Sequence, residues 1–138
     1  MSKKLLVVDS CQQDEDFYAI MGRHFASLDI AKEMERQLYN KELSTWYLII
    51  DDTELQVCVK GFASVFYNEK YYFLDNLYVF PEFRNDKIAS EIVQVIVSDF
   101  TDKPIKCVAT NPYALKIFQS LGFVEVGQNG KYKKLTKY

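Results

Sequence analysis

The stretch that decides the fold is YYFLDNLYVFPEFRNDKIASEIVQVIV, residues 71–97. Its first half predicts a strand that ends at Pro81, because proline cannot donate a hydrogen bond to a strand ladder. In its second half, the apolar spacing of Ile88, Ile92, Val95 and Ile96 predicts a helix with one face on a core. The centre of the chain is therefore a strand that turns directly into a helix.

The turn between this strand and this helix predicts a site for an anion. The first backbone amides of a helix have no partner within the helix, and the macrodipole adds partial positive charge there. Arg84, at the turn, supplies a permanent cation. Helix starts of this kind bind phosphate, so a pyrophosphate group fits the pattern.

A second segment, NPYALKIFQSLGF at residues 111–123, predicts another helix. Asn111-Pro112 is a typical helix start, and Gly122 stands where helices often end in a left-handed conformation. Between them, an apolar stripe predicts the buried face of this helix, formed by Leu115, Phe118 and Leu121.

Together the two segments resemble the acetyl-CoA-dependent N-acetyltransferases of the GNAT superfamily. That family carries a strand ending near Val-x-Pro, a turn R-x-x-G-x-G/A, and a helix N-x-x-A-x-x-x-Y that ends in L-G-F. The similarity covers residues 45–137, and the matching positions are Leu77, Tyr78, Val79, Pro81, 84–89, Asn111, Ala114, Phe118 and 121–123. It implies an α/β (α+β) GNAT fold, with a mixed, mostly antiparallel sheet of six to seven strands flanked by about four helices.

The resemblance also implies a single acyl-CoA N-acyltransferase domain over residues 1–138. Residues 1–44 would select the acceptor, and residues 45–138 would bind acetyl-CoA as a co-substrate, with no metal. The acetyl group would move to a primary amine by direct attack in a ternary complex. The pantetheine arm would lie along the strand 77–79, and a bulge would open a gap for the thioester beside the strand that starts near Ile105.

The site residues follow from the same resemblance. The cofactor would contact Leu77, Val79, Arg84, Asn85, Asp86, Lys87, Ile88, Ala89, Ser90, Asn111 and Phe118. The candidates for proton transfer are Asp75 and the two tyrosines nearest to the expected thioester, Tyr78 and Tyr113. Asp75 is also open to a simpler interpretation, as a solvated strand residue or a turn ligand.

Two departures from the family pattern favour an alternative function. Lys87 replaces the first glycine of the phosphate turn, although its ammonium group could offset the added bulk. Phe118 stands where many members have a tyrosine that protonates the leaving thiolate, and phenylalanine has no proton to donate. A catalytically degenerate, CoA-binding GNAT that acts as a regulatory or interaction module therefore remains an alternative.

A receiver domain of two-component signalling is a remote alternative. Asp9 and Asp51 follow apolar strands, and Lys103 precedes a proline, as in a phospho-accepting site. That fold requires strands and helices in alternation, whereas two long strands follow Asp51 and Lys103 follows a helix.

The remaining patterns predict the element order β-α-α-β-β-β-α-β-α-β-β. Helices are expected over 14–26 and 29–39, the second capped by Ser27 or Asp29. Further strands are expected over 4–8, 46–50, 56–66, 105–109, 123–126 and 131–135, with Asn129-Gly130 as the turn of the last hairpin.

Composition excludes several classes of protein. A chain of 138 residues, 49% hydrophobic with ten Tyr and ten Phe, predicts one folded domain and not a disordered segment. A net charge of −2 gives no basic field for nucleic acid or an anionic membrane surface. No apolar run approaches the ~18 residues of a membrane span, and the start of the chain lacks a signal-peptide pattern. We therefore expect a cytoplasmic protein.

The cysteines and the histidine give no metal-site spacing. Cys58 and Cys107 fall in predicted strands and are expected to be buried thiols, whereas Cys11 falls in a loop. With His24 as the one histidine of the chain, neither a zinc site nor a Cys-His nucleophile is supported.

The acceptor remains open at this point. Residues 11–40 are rich in acids, which would attract a cationic acceptor such as a polyamine, aminoglycoside, lysine side chain or peptide amine; equally, these acids could be solvent-facing helix charges. Four tyrosines could line an aromatic pocket or fill a sheet face: Tyr67, Tyr71, Tyr72 and Tyr78. A homodimer through the late strands is expected by analogy with the family.

Overall fold

The computed structural model describes residues 3–41, 43–53 and 57–138, and these form a seven-stranded sheet. Its strands are β1 Lys4–Val8, β2 Thr45–Asp51, β3 Cys58–Tyr67, β4 Tyr72–Val79, β5 Ile105–Ala109, β6 Val124–Asn129 and β7 Tyr132–Lys137. The order across the sheet is β1-β2-β3-β4-β5-β7-β6. Neighbouring strands are antiparallel except β4 and β5, which are parallel. The predicted mixed, mostly antiparallel sheet is confirmed.

Four α-helices lie among the described residues: α1 Glu15–Phe25, α2 Leu28–Met34, α3 Ile88–Asp99 and α4 Pro112–Ser120. Three of them begin at a side chain that accepts hydrogen bonds from the first free amides, namely Asp14, Ser27 and Asn111. Short 3-10 turns cover Ser10–Gln12 and Pro81–Asp86. In the described ranges, no helix has the length and apolarity needed to cross a bilayer.

The helices cover both faces of the sheet and bury two clusters of apolar side chains. One cluster packs α3 and α4 against β2–β5 and β7, and the other packs α1 and α2 against β1–β4. Ile88, Ile92 and Ile96 are buried as predicted. Val95 is only half-buried, and Val93 is fully buried in its place, so the buried face of α3 is rotated from the predicted one.

The predicted second helix is too long at its C-terminal end. It was expected over 29–39, but α2 ends at Met34 and Glu35 adopts a left-handed φ of 62°. Beyond it the chain crosses to β4, where Arg36 and Tyr39 both donate hydrogen bonds to Asp75. These long-range bonds outweigh the local helix propensity, which is a weak determinant of structure.

Three smaller predictions also change. The last hairpin turns at Gly130-Lys131 and not at Asn129-Gly130, because Asn129 pairs with Tyr132. Gly130 has a φ of 61°, and Gly122 ends α4 with a φ of 96°, as the sequence predicted. Cys58 is exposed at the start of β3, whereas Cys107 is buried. The first two residues of the predicted strand 56–66 are Gln56, which lies outside the described residues, and Val57, which precedes β3.

The receiver alternative is wrong. A receiver domain needs a parallel sheet of alternating strands and helices. Here β2, β3 and β4 follow one another as antiparallel neighbours, so Asp51 and Lys103 belong to a different architecture.

Candidate active site

The site is built around a bulge in β4. Between the pairs Ser64↔Asp75 and Phe62↔Tyr78, β4 advances three residues while β3 advances two. The extra residue is accommodated near Asn76, whose φ is 55°. The bulge bends β4 where the resemblance implied it.

Beyond the bulge, β4 and β5 part. The two strands pair only at Tyr72↔Ile105 and Phe73↔Lys106. The later residues of β4 therefore present backbone amides and carbonyls to a gap and not to a neighbouring strand. Backbone groups of this kind can pair with an extended ligand.

A cavity of about 450 Å³ fills this gap between β4, β5, α2, α3 and α4. Nine of the predicted site residues lie in its wall: Asp75, Leu77, Tyr78, Val79, Arg84, Ala89, Asn111, Tyr113 and Phe118. Of the four clustered tyrosines, Tyr78 is the one among the described wall residues. The structure therefore brings these nine predicted residues to one cavity.

The proposed phosphate turn lies at the end of the cavity. Pro81–Asp86 form a 3-10 turn, Lys87 follows with a left-handed φ of 60°, and α3 begins at Ile88. No described side chain caps α3, and the first helical bond joins the Glu91 amide to the Lys87 carbonyl. The amides of residues 88–90 are therefore available to an anion.

Side chains of the turn differ in what they can contact. Ile88 is buried, and a Cβ built on Gly61 would stand 2.8 Å from its Cγ2, so β3 and α3 are in close contact there. Ile88 can therefore offer a ligand only its backbone amide. Asp86 and Lys87 have exposed side chains, and Ser90 is half-buried in the first turn of α3. Asn85 belongs to the same 3-10 turn.

Arg84 lies back across the end of β4. Its Nε donates to the Val79 carbonyl at 2.9 Å, and its Nη2 donates to Glu33 Oε2 at 2.7 Å. Its guanidinium carbon is 5.5 Å from the centre of the Tyr78 ring. The cation predicted for the phosphate turn is therefore in the cavity wall, paired with a carboxylate from α2.

A hydrogen bond joins Tyr78 to Glu33. The Tyr78 hydroxyl donates to Glu33 Oε1 at 2.6 Å. This bond and that of Arg84 lower the pKa of Glu33, whereas burial, followed by Glu33, raises the pKa of Tyr78 to about 12. At neutral pH, Glu33 is thus an ionised carboxylate and Tyr78 is a protonated phenol. Tyr78 is therefore suited to donate a proton and not to accept one.

Residues 9–136 match the family described as "Acetyltransferase (GNAT) domain". The chain belongs to the GNAT family. Nothing among the curated proteins matches it. Several solved structures share the fold of this GNAT protein at low sequence identity.

Three such structures illustrate the likeness. Escherichia coli ElaA matches with a TM-score of 0.75 and 13% identity, over 99% of this chain and 100% of that one. An acyl-CoA N-acyltransferase from Pseudomonas aeruginosa has a TM-score of 0.75, 8% identity and coverage of 99% and 100%. A GNAT family acetyltransferase from Elizabethkingia anophelis, solved with acetyl-CoA bound, has a TM-score of 0.62, 11% identity and coverage of 96% and 97%.

Asp75 of this GNAT protein is held by three donors. Its Oδ1 accepts from Arg36 Nη2 at 2.5 Å and from the Asn76 amide at 2.9 Å, and its Oδ2 accepts from the Tyr39 hydroxyl at 2.9 Å. The side chain is 15% exposed. Both carboxylate oxygens are engaged, so Asp75 is not a solvated strand residue, and it can accept a proton only when one of these three donors gives way.

The helix α4 supplies the opposite wall. The Asn111 side chain accepts from the Ala114 amide at 2.8 Å and so caps the helix. The Tyr113 hydroxyl, on an exposed side chain, donates to the Arg84 carbonyl at 3.2 Å. Phe118 is 2% exposed and packs on Phe123, with the ring centres 5.3 Å apart. The phenol nearest to the turn on this wall is therefore that of Tyr113.

Sequence reasoning did not assign a role in the site to Glu33, Arg36 or Tyr39. In the sequence, Glu33 was one of several acidic residues in the segment 11–40, and nothing distinguished it from the others. Arg36 and Tyr39 fell inside a predicted helix, which would have pointed them elsewhere. Their positions depend on the end of α2 at Met34, for which the sequence has no glycine signal.

Proposed function

We propose that this protein transfers an acetyl group from acetyl-CoA to a primary amine. The observation that carries the proposal is the uncapped start of α3 beside Arg84, at the end of a strand whose backbone faces an open cavity. Family membership supports the same chemistry. In this proposal, residues 1–44 select the acceptor and residues 45–138 bind acetyl-CoA.

In the proposed complex, the diphosphate lies on the amides of residues 88–90. Arg84 and Lys87 add positive charge, and Asn85, Asp86 and Ser90 complete the turn around it. The pantetheine arm pairs with the backbone of Leu77 and Val79. The thioester then reaches the bulge in β4.

The proposed reaction begins with a neutral amine, because an ammonium group has no lone pair. The ammonium form of the acceptor therefore first gives up a proton to Asp75 or to water held by it, and the neutral nitrogen attacks the thioester carbon. After the attack the nitrogen is positively charged, and it loses its second proton to water. A backbone amide of β4 stabilises the oxyanion, the carbon–sulfur bond breaks, and the thiolate takes a proton. Tyr113 or Tyr78 donates that proton, in place of the tyrosine that Phe118 replaces.

A CoA-binding module without catalysis is the second candidate. Phe118 favours it, because the family's usual proton donor is absent and the ring is fully packed. Release of free CoA thiol with a panel of primary amines decides between the two. Turnover on any amine supports the enzyme, and tight CoA binding with no turnover supports the module.

The turn is tested by replacing its arginine. Arg84→Ala should weaken CoA binding by about tenfold or more, since a hydrogen bond to a charged group is worth about 1.5–3 kcal/mol. Calorimetric titration with CoA measures the change. Arg23→Ala is the control, because Arg23 is exposed on α1 outside the described cavity wall and should leave the affinity unchanged. No association of the unaltered protein with CoA at millimolar concentration would contradict the proposal.

We also propose that two copies associate through β6. This strand is an edge of the sheet, with unpaired backbone groups on one side, and Val124 and Val126 are exposed on it. Exposed edges of this kind favour pairing with another chain.

A further inference from the structure

Glu33 links the acceptor side of the cavity to the phosphate turn. It stands in the last turn of α2, yet it holds Arg84 from the other half of the chain, 51 positions away. The Glu33 and Arg84 side chains are 41% and 39% exposed. The ion pair is therefore open to solvent and can exchange partners at low cost, because such pairs contribute little to stability.

The ionised side chains in the described cavity wall balance in charge. They are Glu33, Asp75, Arg36 and Arg84, two carboxylates and two guanidinium groups. Asp75 and Arg36 form the less exposed ion pair, in which Asp75 also accepts hydrogen bonds from the Tyr39 hydroxyl and the Asn76 amide. Glu33 and Arg84 form the more exposed pair, so an entering charged ligand would rearrange that one first.

A diphosphate on the amides of α3 competes with Glu33 for Arg84. It carries more charge than one carboxylate, and it accepts bidentate hydrogen bonds from a guanidinium group. Once Arg84 turns to it, Glu33 keeps only the hydrogen bond from Tyr78. The other ionised groups of the wall then sum to −1, with Glu33 and Asp75 against Arg36.

We propose that Glu33 binds the ammonium group of the acceptor, and that it becomes available when the cofactor draws Arg84 away. This inference rests on the proposed acetyl transfer. It assigns the acceptor to amines that carry a positive charge without a neighbouring carboxylate. The apolar wall residues Met34, Leu74 and Val108 fit an alkyl chain on that amine.

Glu33 acts here as an anchor and not as the base. The hydrogen bond from Tyr78, which remains when Arg84 leaves, lowers the pKa of Glu33, so Glu33 stays ionised at neutral pH and attracts a cation. The amine held in this way still loses its proton at the bulge, near Asp75.

The exchange of partners couples the two ligands. An ammonium group on Glu33 releases Arg84 for the diphosphate, and a diphosphate on Arg84 releases Glu33 for the ammonium group. By linkage, each ligand must then raise the affinity for the other by the same factor.

The first test measures CoA affinity alone. Calorimetric titrations compare the unaltered protein with Glu33→Gln and with Asp29→Asn, which removes the same charge from an exposed position of the same helix. Without the competing carboxylate, Glu33→Gln should bind CoA about two- to fivefold more tightly, the range of an exposed ion pair. Asp29→Asn should bind as the unaltered protein does. Unchanged or weaker binding by Glu33→Gln overturns the inference.

The second test adds an amine. CoA is titrated at pH 7.5 in the presence of n-pentylamine, of 1-pentanol as the neutral control, and of NaCl at matched ionic strength. Pentylamine, and not pentanol, should tighten CoA binding to the unaltered protein about two- to fivefold, and it should have no effect on Glu33→Gln. An equal effect on both proteins, or none on either, overturns the ammonium site. Failure of the unaltered protein to bind CoA would instead contradict the proposed function itself.

Discussion

Lys87 occupies a backbone conformation that suits glycine. Its φ of 60° is left-handed, and it stands at the first glycine position of the phosphate turn in the family pattern. A residue with a Cβ pays about 1–2 kcal/mol for this conformation. The family's preference for glycine here thus has a conformational reason in addition to the close approach of a diphosphate.

Replacing Lys87 by Gly should therefore stabilise the fold. The relieved strain exceeds the added chain entropy of glycine, about 0.5–1 kcal/mol, and leaves a net gain of about 0.5–1 kcal/mol. Urea denaturation measures this gain. Lys116→Gly, at an exposed position inside α4, is the control and should instead lose about 1 kcal/mol. A loss of stability in both variants would show that φ of 60° costs Lys87 nothing.

The helix α1 buries the one histidine of the chain against the sheet. His24 packs on Phe80 and Phe62, with ring centres 4.9 and 6.3 Å away, and its Nε2 has no hydrogen-bond partner among the described residues. Burial, followed by the charge of Arg23, lowers its pKa. The packing of α1 therefore requires neutral histidine.

Stability should fall as the pH drops below about 6.5, the pKa of histidine in an unfolded chain. The unfolded state then binds a proton that the folded state resists, at a cost of up to about 1.4 kcal/mol per pH unit. Urea denaturation between pH 7 and 5 should show this slope, and His24→Phe should reduce it. Glu33 and the other carboxylates of lowered pKa do not contribute to this slope, because the stability that they add is lost only at lower pH, as the pH falls through their own pKa. Equal slopes in the two proteins would contradict the assignment to His24.

The molecule is one sheet that divides along β4 and β5, with helices on both faces. The division creates the cavity, and the end of α2 together with Arg36 lines one side of it. At the tip of the last hairpin, Lys131 and Tyr132 both contact Glu35, at the end of α2. The C-terminal end of α2 is thus tied to both the centre and the late strands of the sheet.

The two edges of the sheet should behave differently in solution. If two copies pair through β6, the unaltered protein should sediment as a dimer, and Val126→Lys should sediment as a monomer, because a charged residue blocks edge pairing. Val7→Lys places the same change on the opposite edge strand, β1, and should leave the dimer intact. Sedimentation velocity distinguishes these cases. A monomeric unaltered protein would contradict the proposed association.

Some features of the site were readable from the sequence because they depend on local interactions. Pro81 ends a strand, Asn111 caps a helix and Gly122 takes a left-handed conformation whatever surrounds them. Apolar spacing likewise identified three buried residues of α3, Ile88, Ile92 and Ile96, although Val93 and not Val95 is the buried valine. These signals identified the strand, the turn after it and α4, which the structure brings together at the cavity.

The opposite wall could not be predicted in this way. The hydrogen bonds of this wall join Glu33, Arg36 and Tyr39 to residues 36 to 51 positions later in the chain. The spacing of apolar residues in the sequence does not indicate contacts over such a separation. The prediction of a helix over 29–39 failed for the same reason.

The sequence by itself therefore determined the family, the order of strands and helices, and the turn proposed to hold phosphate. These depend on backbone conformations and apolar patterns set within a few residues. Only the tertiary structure decided that Arg84 pairs with Glu33 and that Asp75 is enclosed by Arg36 and Tyr39. Those contacts form because the fold brings charged groups that are distant in sequence within hydrogen-bonding distance, and at Asp75, whose side chain is 15% exposed, partial burial also strengthens the attraction.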